Sequence, residues 1–356
     1  PLAILRTGPY CSAGPAQVGP GLDLRKGSVI SVASRPLALL GTLLLAGAGP
    51  LAGQAAIDPS VAPRAAALER QGAREAATEM LGRYLATAPD DGRAWFQLGR
   101  FYLLDSRDWH RRGHVGEPSG VLYLDFAETA LQQSMRLAVD SGLVFHAMVE
   151  IDRLMVYVED SGWGPAREEP PHLHSIDLPD YIGELGVNLL NSCPSEGILL
   201  TGADLEVLAA WYETFVALRR PDLLLLRPDL YATDSVYRRR MAEVLGADPS
   251  LTMQQALFRA AQQRPVCLSP MADASGLPVA GWVPLRLVRV NGPVPESALL
   301  PDGLSVTDLV RVEHQGGSAW ADQVAEVYRV AGRYNRLLCA GILSRLGDRP
   351  RGACGQ

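Results

Sequence analysis

The chain changes its hydrophobic period near residue 176, and that change limits it to a two-part architecture. Before it, apolar residues recur at helical spacing, as in Val144, Met148, Ile151, Leu154, Met155 and Val158. After it, the short apolar runs 197–202 and 223–226 bracket a helical segment with Leu205, Leu208, Trp211, Tyr212, Phe215 and Leu218 on one face. A strand, a helix and a strand within roughly 30 residues require a crossover between two parallel strands. At 356 residues the chain has room for about two domains of the usual size.

Within the helical part, Trp95, Leu98, Gly99 and Tyr102 stand at W-x2-L-G-x2-Y spacing, with Ala77, Leu81 and Pro89 at matching positions upstream. Ala127, Leu131 and Ser134 take up a small-large-small pattern after residues 106–120, which read as a loop insertion. These residues resemble a tetratricopeptide repeat. The resemblance implies two to three helical pairs, packed closely at their small residues, and a concave surface without chemistry of its own.

The second part continues with helical segments at 235–246 and 253–263, a third strand at 264–270 and a fourth at 282–292. The expected class is therefore α + α/β: tetratricopeptide-like helices over 62–160, a linker over 161–180, a small Rossmann-like parallel-sheet layer over 181–300 and a helical segment over 301–350. A long C-terminal helix is expected there, with Trp320, Val324, Val327, Ala331, Tyr334, Leu338 and Ile342 on one stripe. No G-x-G-x-x-G follows a strand, so a dinucleotide is not indicated, and no cofactor is expected.

Ligands of open parallel sheets gather beyond the carboxyl ends of the strands. The polar residues expected there, and the candidate ligand-binding set, are Thr201, Asp204, Glu206, Tyr231 and Asp234. Asp204 also reads as the N-cap of its helix, with Glu206 favouring the positive end of the helix dipole. The run from Ile198 to Met241, followed by 264–270 and 281–295, resembles the extracytoplasmic region of bacterial membrane proteins related to protein O-mannosyltransferases. Thr201, Asp204, Trp211, Tyr212, Arg220, Pro221 and Asp222 match in order, whereas Ala203 stands for a glycine and Glu206 for the second acid. That family's glycosyl transfer is presumed to reside in a multi-span membrane portion. Tetratricopeptide-like helices stand in its place here, so the resemblance implies an accessory domain without the transferase.

Residues 1–27 read as a disordered or untranslated leader. Arg25, Lys26 and Arg35 then precede the apolar run Leu37 to Ala48 and a small-residue exit near Ala55, the order of a secretory signal peptide over 28–55 or, uncleaved, of a membrane anchor. The expected location is periplasmic or otherwise extracytoplasmic. Cys193, Cys267, Cys339 and Cys354 are far apart with no Cys-x-x-Cys, which leaves open one disulfide or isolated buried thiols. With 33 Lys+Arg against 39 Asp+Glu and no dense basic run, nucleic acid is excluded as a partner.

Two histidine pairs, His110 with His114 and His172 with His174, together with Asp108, have the donor types of a zinc site. Both pairs read as loop residues, where a spacing of four places no shared face, so no metal is expected. The chain lacks a G-x-S-x-G elbow, a P-loop and H-E-x-x-H. The expected function is that of a non-catalytic exported scaffold or accessory subunit, docking onto a protein of a cell-envelope or membrane complex. Trp109, Tyr334, Leu337 and Leu338 are its candidate partner-binding residues. The alternative is a carbohydrate-binding or glycosyl-transfer accessory module that takes a glycan at the acidic strand ends.

Overall fold

The computed structural model describes residues 56–114, 118–137, 139, 141–168, 176–273, 277, 281–292 and 304–347. The expected leader, the signal-like segment and the pair His172 and His174 lie outside these residues. Residues 54–356 form one compact unit.

Five helices come first: α1 Val61–Arg70, α2 Arg74–Leu85, α3 Gly92–Arg111, α4 Gly120–Arg136 and α5 Ser141–Ser161. Asp91 starts α3 by accepting from the N–H groups of Arg93 and Ala94, and Ser119 caps α4 through the Leu122 N–H. The first six residues of the expected insertion loop over 106–120 are helix, because Leu103, Ser106 and His110 extend the buried stripe of α3 to its last turn. Gly99 brings α3 and α4 together. A Cβ there would stand 2.6 Å from Leu131 Cγ and 3.2 Å from the Ala127 carbonyl oxygen, so a larger residue would force the helices apart.

Within the expected linker, α6 Trp163–Glu168 inserts Trp163 edge-on against Trp211 and Phe215, at ring distances of 5.6 and 5.2 Å. Helix α7 Asp180–Ser192 follows. Then come β1 Ile198–Leu200, α8 Asp204–Trp211 with a wider turn to Val216, β2 Leu224–Leu226, α9 Pro228–Thr233, α10 Ser235–Leu245, α11 Met253–Ala260, β3 Val266–Leu268, β4 Val283–Leu285 and β5 Val288–Asn291. The sheet order is β2-β1-β3-β5-β4. Every residue of β1, β2 and β3 is buried, as expected of parallel strands covered on both faces.

The sheet is mixed, which corrects the parallel reading. The expected fourth strand is a hairpin, β4 turning at Arg286 and Leu287 into β5, and β5 runs antiparallel to β3. The C-terminal segment is also divided. Helix α12 Thr307–His314 precedes α13 Ala319–Tyr334, which stops at Asn335, where the side-chain oxygen accepts from the Leu337 and Leu338 N–H groups and the amide donates to the Arg286 carbonyl.

A single buried cluster runs from Leu103 in α3 through the sheet to Ile342, and a smaller one joins α1, α2 and the start of α3. Helices and sheet therefore share one core. Cys193, at the end of α7, is disulfide-bonded to Cys267 in β3, and Cys339 is disulfide-bonded as well.

Candidate functional site

The carboxyl ends of β1 and β2 meet the last turns of α3 and α5, and the polar residues expected at the sheet's rim divide there into two kinds. Thr201, Glu206, Tyr231 and Asp234 are all fully buried. Glu206 accepts from the Gly202 and Met271 N–H groups and the Ser269 hydroxyl, so its carboxylate is used internally to fold the loop after β3. Burial nonetheless raises its pKa, against those hydrogen bonds. Asp204 alone of the set is half-exposed. It is not the cap of α8, which Ala203 begins without a side-chain bond. Instead it accepts from Arg107 at 2.7 Å, and Arg107 also holds Asp152. Burial opposes ionisation of Asp204, but Arg107 overcomes it and lowers the pKa.

The expected partner face is mostly covered. The Tyr334 hydroxyl donates to the Leu287 carbonyl and its ring lies under Arg289, Leu338 is buried, and only Leu337 stands exposed, at 77%. Trp109 lies over His114, with ring centroids 4.3 Å apart.

Asp234 belongs to a cluster that sequence spacing did not reveal. His110 is the last buried residue of α3, and His114 follows the helix end in left-handed backbone with φ 65°. Glu159 comes from the last turns of α5, and Asp234 is the N-cap of α10. Their donor atoms converge. His110 Nδ1 lies 3.3 Å from His114 Nε2, 3.4 Å from Asp234 Oδ2 and 3.7 Å from Glu159 Oε2. His114 Nε2 lies 2.8 Å from Asp234 Oδ2 and 3.6 Å from Glu159 Oε2.

Asp234 and the end of α5 are held from behind. Asp234 Oδ1 accepts from the Val236 and Tyr237 N–H groups, which leaves Oδ2 facing the histidines. Arg240 binds the Glu159 and Asp160 carbonyls and fixes the end of α5. The two carboxylates differ in basicity. Burial, then the charges of Asp234, Asp160 and Asp152, push Glu159 up to about 9. Burial opposes ionisation of Asp234 too, but the His110 ring, the Tyr237 N–H and the His114 ring hold it at about 2. Two imidazole nitrogens and two carboxylate oxygens are the donors that divalent transition ions take. The expectation of no metal assumed that both histidines lie in a loop, whereas helix α3 carries His110.

Another group, Glu128, His146 and Glu150, also brings its donor atoms together, but a cation is already there. Arg153 reaches Glu128 at 2.8 Å and Glu150 at 3.8 Å. Away from both clusters, a groove of about 770 Å³ runs along α2, α3 and α4, lined among others by Arg74, Tyr102, Arg112 and Tyr123. Tyr102 stacks on Tyr123 and touches Phe126, which is 41% exposed. Among the described residues, no helix is long and apolar enough to cross a membrane.

No family model matches the chain, and neither a curated protein nor a solved structure matches it.

Proposed function

We propose that this chain is a non-catalytic docking protein of the cell envelope, whose tetratricopeptide-like pairs α1–α2 and α3–α4 take an extended segment of a protein partner. In this reading the Rossmann-like layer is a rigid base for those pairs. The observation that carries it is the groove along α2, α3 and α4, with the stacked rings of Tyr102 and Tyr123 in its wall. Aromatic and arginine side chains are enriched where proteins bind one another, and a few of them supply most of the affinity. Arg112, Glu75 and Glu79 line the same groove and are exposed, so the fitting segment carries charges of both signs beside an apolar anchor.

The disulfide between Cys193 and Cys267 supports an extracytoplasmic site of action, since such bonds persist in oxidising compartments. The glycan alternative draws less support, because four of its five candidate residues are buried. The test is affinity purification from the native envelope with three versions of the full chain. Tyr123→Ser combined with Arg112→Glu is expected to reduce recovery of the partner at least about tenfold, while Asp204→Asn leaves it unchanged. Undiminished recovery with the groove variant, or glycan binding lost in Asp204→Asn, would sink the reading.

A further inference from the structure

We propose that His110, His114, Glu159 and Asp234 form a four-coordinate site for a divalent transition metal ion of the zinc class, closing the seam between the helical part and the sheet. The inference stands apart from the docking reading.

The spacing of the donors comes first. A tetrahedral ion with bonds of about 2.0–2.1 Å sets its ligand atoms roughly 3.3–3.4 Å apart. Five of the six separations run from 2.8 to 3.7 Å, and the sixth, between the two carboxylate oxygens, is within 4.8 Å. One of these contacts, His114 Nε2 to Asp234 Oδ2, is a hydrogen bond; beyond it, the four donor atoms all lie within 4.8 Å of one another, close enough for one ion to reach them all.

Charge is the second argument. Glu159 and Asp234 are acidic side chains buried side by side, and among the described residues only the two histidines meet them with ring nitrogens. Glu159 Oε1 is buried without a hydrogen-bond partner. A buried polar oxygen left this way is unfavourable, and a doubly charged cation between two neutral imidazoles would hold both side chains as carboxylates and balance their charge. The contrast with Glu128, His146 and Glu150 is direct: Arg153 fills that role there, and a metal would be repelled.

The donor set narrows the ion. Calcium and magnesium prefer oxygen-only shells, and cuprous ion prefers sulfur. Two imidazoles with two carboxylates suit zinc. All four positions come from the protein, as in structural zinc sites, so the ion acts as a staple. Asp234, contributed from the start of α10, is thereby tied to α3 and α5. The supporting contacts are those of a built site: the Trp109 ring against His114, and two backbone N–H groups on the far oxygen of Asp234.

The experiment uses the full chain, purified without chelators, assayed for metal by mass spectrometry, then stripped and titrated with Zn²⁺ or Co²⁺ alone. One ion per chain is expected, with the intense visible absorption of four-coordinate Co²⁺. Glu159→Gln keeps the side-chain shape and should weaken binding by at least about 100-fold. His146→Ala, in the arginine-filled cluster, should leave the stoichiometry at one. Should Glu159→Gln fail to fold, the stripped wild type still decides, since Zn²⁺ should raise its Tm by about 5 °C or more. The proposal is overturned if stripped wild type binds Co²⁺ no more tightly than Glu159→Gln, or only with the weak spectrum of a six-coordinate ion. A Tm indifferent to Zn²⁺ would overturn it as well.

Discussion

Glu206 and Gly202 act as a pair at the carboxyl end of β1. The Glu206 carboxylate supplies, from within the chain, the acceptor that an incoming ligand would offer the Gly202 and Met271 N–H groups and the Ser269 hydroxyl, and Gly202 lets the loop after β3 lie directly on it. A Cβ at Gly202 would stand 2.2 Å from Ala272 Cα. The same residue types read in sequence as a ligand pocket because an acid after a strand has one signature for both purposes. Asp222 shows a second internal use of charge. It takes two bonds from Arg220, at 2.9 and 2.8 Å, and one from the Glu196 N–H, while the same guanidinium holds the Leu190 and Cys193 carbonyls. The Arg220 bonds hold its carboxyl at about 2, below the ordinary 3.8, and Arg264 also faces it. A folded pKa below the unfolded one means that the pair stabilises the fold above about pH 4 and is lost as pH falls toward 2. Chemical denaturation across that range should therefore show the stability gap between wild type and Asp222→Asn closing as pH falls. A gap that stays constant would show that the Arg220 bonds do not set the acid limb.

Among the elements, α3 is the one on which both functional readings depend, since it carries groove residues on one side and His110 on another. Its start is fixed by Asp91, whose Oδ1 accepts two backbone N–H groups and whose Oδ2 accepts from the Tyr84 hydroxyl at 3.0 Å. Asp91→Ala removes the cap and leaves Tyr84 without that acceptor, so a loss of about 2 kcal/mol is expected by equilibrium unfolding, with Asn recovering most of it. The start of α3 was legible, because the spacing of Trp95, Leu98, Gly99 and Tyr102 marks it. Its end was not. Arg107, Arg111, Arg112 and Gly113 look like loop chemistry in a linear reading, although Ser106 and His110 continue the buried face. The β4–β5 hairpin was hidden for a related reason. Its turn residues, Arg286 and Leu287, are not the Asn-Gly or Asp-Gly that announce a two-residue turn, and Arg286 adopts φ 49° without glycine's freedom.

At the scale of the whole molecule, the strands and most helices follow from local pattern, whereas the metal-ligand cluster depends on tertiary assembly. His110 and Asp234 are joined only because α3 and the α9–α10 junction pack against the same end of α5, and no spacing rule in one sequence reaches that far. The same packing decides how the chain should unfold. Because one core passes from Leu103 through the sheet to Ile342, the helical and α/β parts should melt together despite their different textures. The Cys193–Cys267 bond, spanning 74 residues, offers a way to perturb one side of that core. Closing a loop of that length restrains the unfolded chain by about 4 kcal/mol in the chain-entropy account, so Cys193→Ser with Cys267→Ser should lower stability by about 2–4 kcal/mol. Calorimetry should show this loss as a single transition moved to lower temperature, with the groove helices moving along with the sheet. Two separated transitions, with only the later residues affected, would mean that the shared core does not couple the two parts, and that a metal staple between them would have independent bodies to join.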